Sequence, residues 1–257
     1  MPTRRSSLIA LLAALGAARS AAADGPTPGR TTTRSIASTR TGASYPLNIY
    51  RPPDAPGMPA RLPVVYLLDG ESRFQTLADI AAATGTRTMI VGIGNEDRRS
   101  RDYVPANTCT EDGGGEAAFF DFIRFELIPF VDAELGGDPA KRVLMGHSHG
   151  GAFVLYALFN EAPDAHHFGA YLAADASVRC MPEAVYGWEA AYAARAERLP
   201  ARLYLAYANP SNEPFARQIE RRHYRGLRFA SQWYPGGHNG MVQAGFTDAL
   251  RFAFAPD

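Results

Sequence analysis

The sequence predicts an α/β fold, with a mostly parallel central sheet and helices on both faces. Three observations carry this. Short apolar runs rich in β-forming residues, such as LPVVYLL at 62–68, stop abruptly at Gly, Asn or Asp. Stretches with helical spacing alternate with these runs, which is the order of a parallel sheet with crossover helices. The 257 residues, 46% of them hydrophobic, suffice for one sizeable core.

Residues 1–23 read as an export signal. Arg4 and Arg5 form a positive start, residues 8–18 are apolar, and Ala21-Ala22-Ala23 offers a small-residue cleavage site before Asp24. The apolar run is too short to span a bilayer, and no later stretch reaches that length. Thr3-Arg4-Arg5 resembles a twin-arginine signal, but Ser7 stands where a hydrophobic residue is expected, which favours ordinary secretion. A periplasmic or secreted location follows as the expectation. Residues 24–31, rich in Pro, Gly and Thr, read as a flexible lead-in, and 32–257 as a single domain.

The elements follow in order. Edge strands are expected near 32–38 and 45–50, and the prolines of Pro52-Pro53-Asp54-Ala55-Pro56-Gly57 make a loop, since they cannot donate to a ladder. Residues 62–68 and 88–93 read as strands buried on both faces. Residues 98–115, polar and Gly-rich, read as a long loop. Phe119, Phe120, Ile123, Leu127, Ile128 and Val131 fall at helical spacing within 116–135. The remaining strands are expected at 142–145, 171–174, 203–208 and 227–234. The remaining helices are expected at 152–159, 182–197, 212–224 and 241–254.

The chain holds 26 basic and 26 acidic residues. Removing residues 1–23 takes away Arg4, Arg5 and Arg19 and no acid, leaving 23 basic residues against 26 acidic, or −3. With no basic stripe, a nucleic-acid partner is not expected. Cys109 and Cys180, both in loops that follow strands, permit one disulfide in an exported chain, with two separate thiols as the alternative.

The chemistry centres on Gly146-His147-Ser148-His149-Gly150-Gly151, which follows a short apolar strand and precedes an Ala- and Leu-rich helix. That is the context of a nucleophile elbow, with the serine exposed on a tight strand-to-helix turn and the N–H of His149 facing a developing oxyanion. The fold expected is therefore an α/β-hydrolase. Its chain order is serine, acid, histidine. His238, in the Gly-rich loop Pro235-Gly236-Gly237-His238-Asn239-Gly240, is favoured as the base over His223, which sits on a basic helix face. Glu213, after the strand at 203–208, is the favoured acid, and Asp175, after the strand at 171–174, is the alternative. A second oxyanion donor is expected from Asp69-Gly70-Glu71, at the N–H of Glu71 or Gly70.

At these residues the chain resembles the putative-esterase group of α/β-hydrolases, the esterase D and trilactone-siderophore esterase-like enzymes. Val65-Tyr66-Leu67-Leu68-Asp69-Gly70 resembles its "YLLDG" signature, Arg101-Asp102-Tyr103-Val104-Pro105 its "RDYTP" segment, Gly146–Gly151 its "GHSxGG" elbow and Gly237-His238 its histidine loop. The resemblance implies a serine esterase acting on a small-molecule ester, without metal or organic cofactor, with Ser148, His238 and Glu213 as its triad. His149 departs from the usual Leu, and Val178-Arg179-Cys180 replaces a Trp-bearing segment that can line the pocket. Arg98, Arg99 and Arg101 are candidates for attracting an anionic substrate, and Tyr186, Trp188 and Tyr192 for lining an acyl or aryl pocket. Two rival readings are an acyltransferase of the same fold and a non-catalytic periplasmic binding module.

Overall fold

The computed structural model describes residues 29–256, so the export signal read at 1–23 lies outside the described residues. Two antiparallel strands open the fold, β1 (Arg30–Ala37) and β2 (Ser44–Arg51). The alternation then begins with β3 (Leu62–Leu67), α1 (Gly70–Thr84), β4 (Met89–Ile93) and α2 (Arg99–Tyr103). A helical stretch of α3 (Glu116–Phe122), a wide π turn at Ile123–Leu127 and α4 (Ile128–Glu134) leads into β5 (Gly137–His147). After it come α5 (His149–Asn160), β6 (Ala170–Ala174), α6 (Pro182–Ala193), β7 (Arg202–Tyr207), α7 (Asn212–Arg222), β8 (Arg228–Trp233), α8 (Gly237–Gly240) and α9 (Val242–Phe254).

The eight strands form one sheet in the order β1-β2-β4-β3-β5-β6-β7-β8. Pairing is antiparallel from β1 through β2 to β4 and parallel in every pair from β4 to β8. Because β-strand side chains alternate, each central strand feeds two cores. Val65 and Leu67 of β3 pack with Phe74 and Leu77 of α1 and Phe246 of α9 on one face. Val64 and Tyr66 pack with Phe153 and Leu158 of α5 and Phe119 of α3 on the other. The mostly parallel sheet covered on both faces is the architecture the sequence predicts.

Three local expectations are corrected. The sequence reading assigns nothing at α1, whose inward face includes the small Ala78 and Ala81 and so gives a weak apolar stripe. The expected loop at 98–115 begins with helix α2, where Tyr103 is fully buried. The single helix expected at 116–135 carries the π turn at 123–127; Pro129, just beyond it, lacks the N–H of an ordinary helical ladder.

Cys109 and Cys180 are joined in a disulfide across 71 residues. It ties the loop after α2 to the loop after β6. Closing a loop of that length is expected to contribute about 4 kcal/mol by restricting the unfolded chain. A Cys109→Ser/Cys180→Ser double variant should therefore lose about that much stability in urea titration, and an unchanged midpoint would contradict it.

A second tie is polar. Glu161 is 1% exposed and accepts from His166 Nδ1 (3.1 Å), His167 Nδ1 (2.7 Å), the His167 N–H (3.1 Å) and the Tyr171 hydroxyl. Burial alone would raise its pKa, but these donors outweigh burial and hold the carboxyl down at about 2. The folded value lies below the ordinary 4.5. The stabilisation is thus present above about pH 4.5 and is lost as pH falls from there through about 2. Glu161→Gln should cost about 3 kcal/mol at pH 7 and much less at pH 3 by urea unfolding. Equal losses at both pH values would rule out the carboxylate as the source.

Candidate active site

Ser148 sits between the last residue of β5 and the first of α5, with φ 62° and ψ −122°. A non-glycine residue there carries roughly 1–3 kcal/mol of backbone strain. Neighbours hold it: the Ser148 N–H donates to the Ala174 carbonyl (2.9 Å), and the Ser148 carbonyl accepts from the N–H groups of Ala152 (3.0 Å) and Ser177 (3.1 Å). A Cβ on Gly146 would land on the Gly150 carbonyl, so only glycine allows the chain to reverse this tightly. The Ser148 hydroxyl lies 3.4 Å from the Ser177 hydroxyl.

His238 stands on α8, in a loop where Gly236 (φ 98°) and Gly237 (φ 69°) turn the chain left-handed. Its Nδ1 lies 2.6 Å from Asp175 Oδ2. Asp175 is 2% exposed, and its other oxygen accepts from the N–H groups of Ala208 (2.9 Å) and Asn209 (2.7 Å). Facing a carboxylate, Nδ1 carries the proton, which leaves Nε2 with its lone pair.

The acid expected at Glu213 is therefore corrected to Asp175 as the group that holds His238. Glu213 is in the first turn of α7, where its half-exposed carboxylate pairs with Arg217 one turn along. Helical spacing supplies it a partner on its own surface and leaves none of its hydrogen bonds directed to the loop of His238. His223 caps the far end of α7 at φ 50°, away from Ser148.

Helices α1 and α5 both begin at the site. The N–H groups of Gly70, Glu71 and His149 fall in first turns, where amides lack intrahelical acceptors and the helix dipole is positive. Asp69, before α1, is itself left-handed (φ 56°), and a Cβ on Gly70 would lie 2.5 Å from the backbone of Gly92, so α1 starts hard against β4. The Asp69 turn is held twice. Its N–H donates to the Tyr103 hydroxyl (3.1 Å), which donates to Asn95 Oδ1 (2.9 Å). Its carboxylate takes two hydrogen bonds from Arg99 (2.6 and 3.1 Å). That pair offsets an anion that would otherwise oppose negative charge developing nearby. Asp102, fully buried beside Tyr45 and Asn95, is pushed up to about 6 by burial.

The "RDYTP"-like segment thus gains a physical reading: its Tyr103 fixes the turn at Asp69. His149 lies beside the disulfide, with its ring nitrogen and both sulfurs within 4.8 Å of one another. Burial, with Arg99 second, lowers the His149 pKa.

Ser148 and His238 line a cavity of about 330 Å³ with Asp69, Glu71, Ser72, Arg73, Glu96, Arg99, His147 and Asn239. A second, beyond His238, is lined by Asp175, Ser177, Arg179, Cys180 and Asn209. Of the three arginines expected at the mouth, Arg99 alone lines the first cavity. Arg101 instead donates to the Thr41 carbonyl (3.2 Å), and Arg98 is set among Tyr45 and Asp102. Two arginines and three carboxylates line this cavity, and Arg98 and Arg101 add no charge to its lining.

Tyr186 and Trp188 are corrected too. Tyr186 packs on Phe215 (5.3 Å) and Trp188 on Tyr156 (5.2 Å), because α6 lies against α5 and α7 as core packing. Arg73, His147 and Ser177 are the site residues that sequence reasoning misses. His147 carries the only available signal, its place inside the elbow motif.

A family model described as "Putative esterase" matches residues 38–212. Ferri-bacillibactin esterase BesA of Bacillus subtilis (strain 168) is 32% identical over 173 residues, 58% of this chain and 58% of that protein. Siderophore triacetylfusarinine C esterase of Aspergillus fumigatus is 32% identical over 133 residues, 46% and 44% of the two chains. The matches thus span about half the length of these curated relatives. The crystal structure of an IroE-like serine hydrolase from Shewanella oneidensis superposes with a TM-score of 0.78 at 28% identity, covering 89% of this chain and 82% of that one. The fold is that of an α/β-hydrolase.

Proposed function

The chain belongs to the "Putative esterase" family, and from that premise we propose that it is a serine hydrolase that cleaves carboxylic esters through an acyl-enzyme on Ser148. The observation that carries the reading is the hydrogen bond to buried Asp175 made by His238, which lines the same cavity as the strained Ser148.

The cycle starts as the Ser148 hydroxyl turns from Ser177 toward His238 Nε2. The hydroxyl oxygen forms a bond to the ester carbonyl carbon as Nε2 takes its proton. Asp175 stabilises the imidazolium. The N–H groups of His149 and of Glu71 or Gly70 receive the oxyanion, each worth roughly 3 kcal/mol of transition-state stabilisation. The carbon–oxygen bond to the alcohol then breaks, and His238 protonates the departing oxygen. Water, deprotonated by His238, attacks the acyl-enzyme, releasing the acid and restoring Ser148.

The named relatives act on siderophore esters, and a cavity lined by hydrogen-bonding side chains suits an ester with polar groups near its carbonyl better than a long acyl chain. We read the substrate as such a polar ester of the siderophore class. The signal pattern of residues 1–23 and the disulfide support an exported, periplasmic or secreted protein.

A panel of p-nitrophenyl acetate, p-nitrophenyl palmitate and a trilactone siderophore tests the reading. The expected result is turnover of the acetate and the trilactone, with free acid as product, and poor turnover of the palmitate. No hydrolysis of any of the three would sink it, and acyl transfer to added alcohols without free acid would point to the acyltransferase.

A further inference from the structure

His147 is the last residue of β5, next to Ser148, and is 2% exposed. Its Nε2 is 2.8 Å from the main-chain oxygen of His238, and its Nδ1 is 3.3 Å from an amino group of Arg73. The same Arg73 nitrogen donates to Asn239 Oδ1 at 2.8 Å. These contacts fix the protonation pattern. A guanidinium only donates, so Nδ1 must accept; a carbonyl only accepts, so Nε2 must carry the hydrogen. Burial, the largest influence, pushes His147 down to about 4, which leaves the ring neutral near pH 7. Its ring also lies against that of His238, with centroids 4.4 Å apart.

The base needs such support. His238 is half-exposed on a four-residue helix entered through two left-handed glycines. Asp175 holds only its side chain. We propose that His147, fixed as its Nε2–H tautomer by Arg73, is a positioning residue that clamps the main chain of His238 and so aims the general base at Ser148. Arg73 spans the clamp, reaching from α1 to both His147 and Asn239. A neutral His147 also adds no like charge beside the imidazolium that forms in each cycle.

This inference rests on the reading of His238 as general base, and the experiment separates the two. His147→Phe keeps a ring against His238 but deletes both hydrogen bonds. Misplacing a catalytic group by about 1 Å can cost about 10²-fold, so its kcat on p-nitrophenyl acetate should fall by about that factor while KM changes less than about 2-fold. His147→Gln, whose amide can still donate to the His238 carbonyl, should recover most of the rate.

Arg73→Met keeps the chain length on α1 and serves if His147→Phe fails to fold. It should lower kcat in the same way. In ¹⁵N spectra of histidine-labelled protein, His147 should be an Nε2–H tautomer in the wild type, and its Nδ1 resonance should shift in Arg73→Met as the hydrogen bond from the guanidinium is lost. A normal kcat in both His147→Phe and Arg73→Met, with His238→Ala inactive, would overturn the clamp alone. A rise in KM without a fall in kcat would make Arg73 a substrate contact instead. An active His238→Ala would overturn the general-base reading beneath it.

Discussion

Ser148→Ala is expected to lower kcat for p-nitrophenyl acetate by about 10⁵- to 10⁶-fold, the scale seen when a serine nucleophile is removed elsewhere. The geometry explains why so little should remain. The turn at φ 62° exists to present one hydroxyl at the first turn of α5, and alanine at the same backbone position offers no atom to attack. His238 and Asp175 would then form a base with nothing to deprotonate. The variant should fold, because the bonds that hold the turn, to Ala174, Ala152 and Ser177, are main-chain bonds that alanine keeps. An unchanged melting temperature with lost turnover, and lost labelling by a fluorophosphonate, is the expected pattern. Near-normal turnover would remove Ser148 from the chemistry.

Asp175→Asn should lower kcat by about 10⁴-fold, whereas Glu213→Gln should leave it within about 2-fold. The tautomer of His238 sets the difference. One oxygen of Asp175 accepts from the amides of Ala208 and Asn209, so an asparagine must keep its carbonyl oxygen there. Its NH₂ then faces His238 Nδ1. A donor in that place forces Nδ1 to accept, which moves the ring proton to Nε2 and blocks the atom that must receive the Ser148 proton. Glu213 has no comparable role: it pairs with Arg217 on the exposed face of α7, where solvent screens the pair. Steady-state kinetics of the two variants side by side decide between the two acids, and a large loss in Glu213→Gln with a small one in Asp175→Asn would reverse the assignment.

The contrast between these carboxylates marks where sequence reasoning stops. Parallel strands are local, two-sided apolar runs, and β3, β4 and β6 are legible from composition. The elbow is legible too, because its glycines and serine are consecutive. Asp175 and Glu213 each follow a strand, and both positions satisfy the chain order. What separates them is the direction of a side chain after the strand, with Asp175 at φ 40° turned under His238 and Glu213 carried outward by a helix. The arginines fail for the same reason. Arg98, Arg99 and Arg101 are near neighbours in sequence, but within about one turn the helix points them at different partners, and Arg99 alone reaches Asp69. The clamp of Arg73 and His147 joins residues 74 and 91 positions from their partners, a distance over which no pattern of spacing speaks.

The central claim is that an acyl group passes through Ser148. The direct measurement is acid quenching of the enzyme within milliseconds of mixing with p-nitrophenyl acetate, followed by mass spectrometry of its peptides. The account predicts an acetyl group on the peptide carrying Ser148, strongly reduced in His238→Ala and absent in Ser148→Ala. Hydrolysis that proceeds with Ser148 unmodified, or with the acetyl group on another residue, would contradict it.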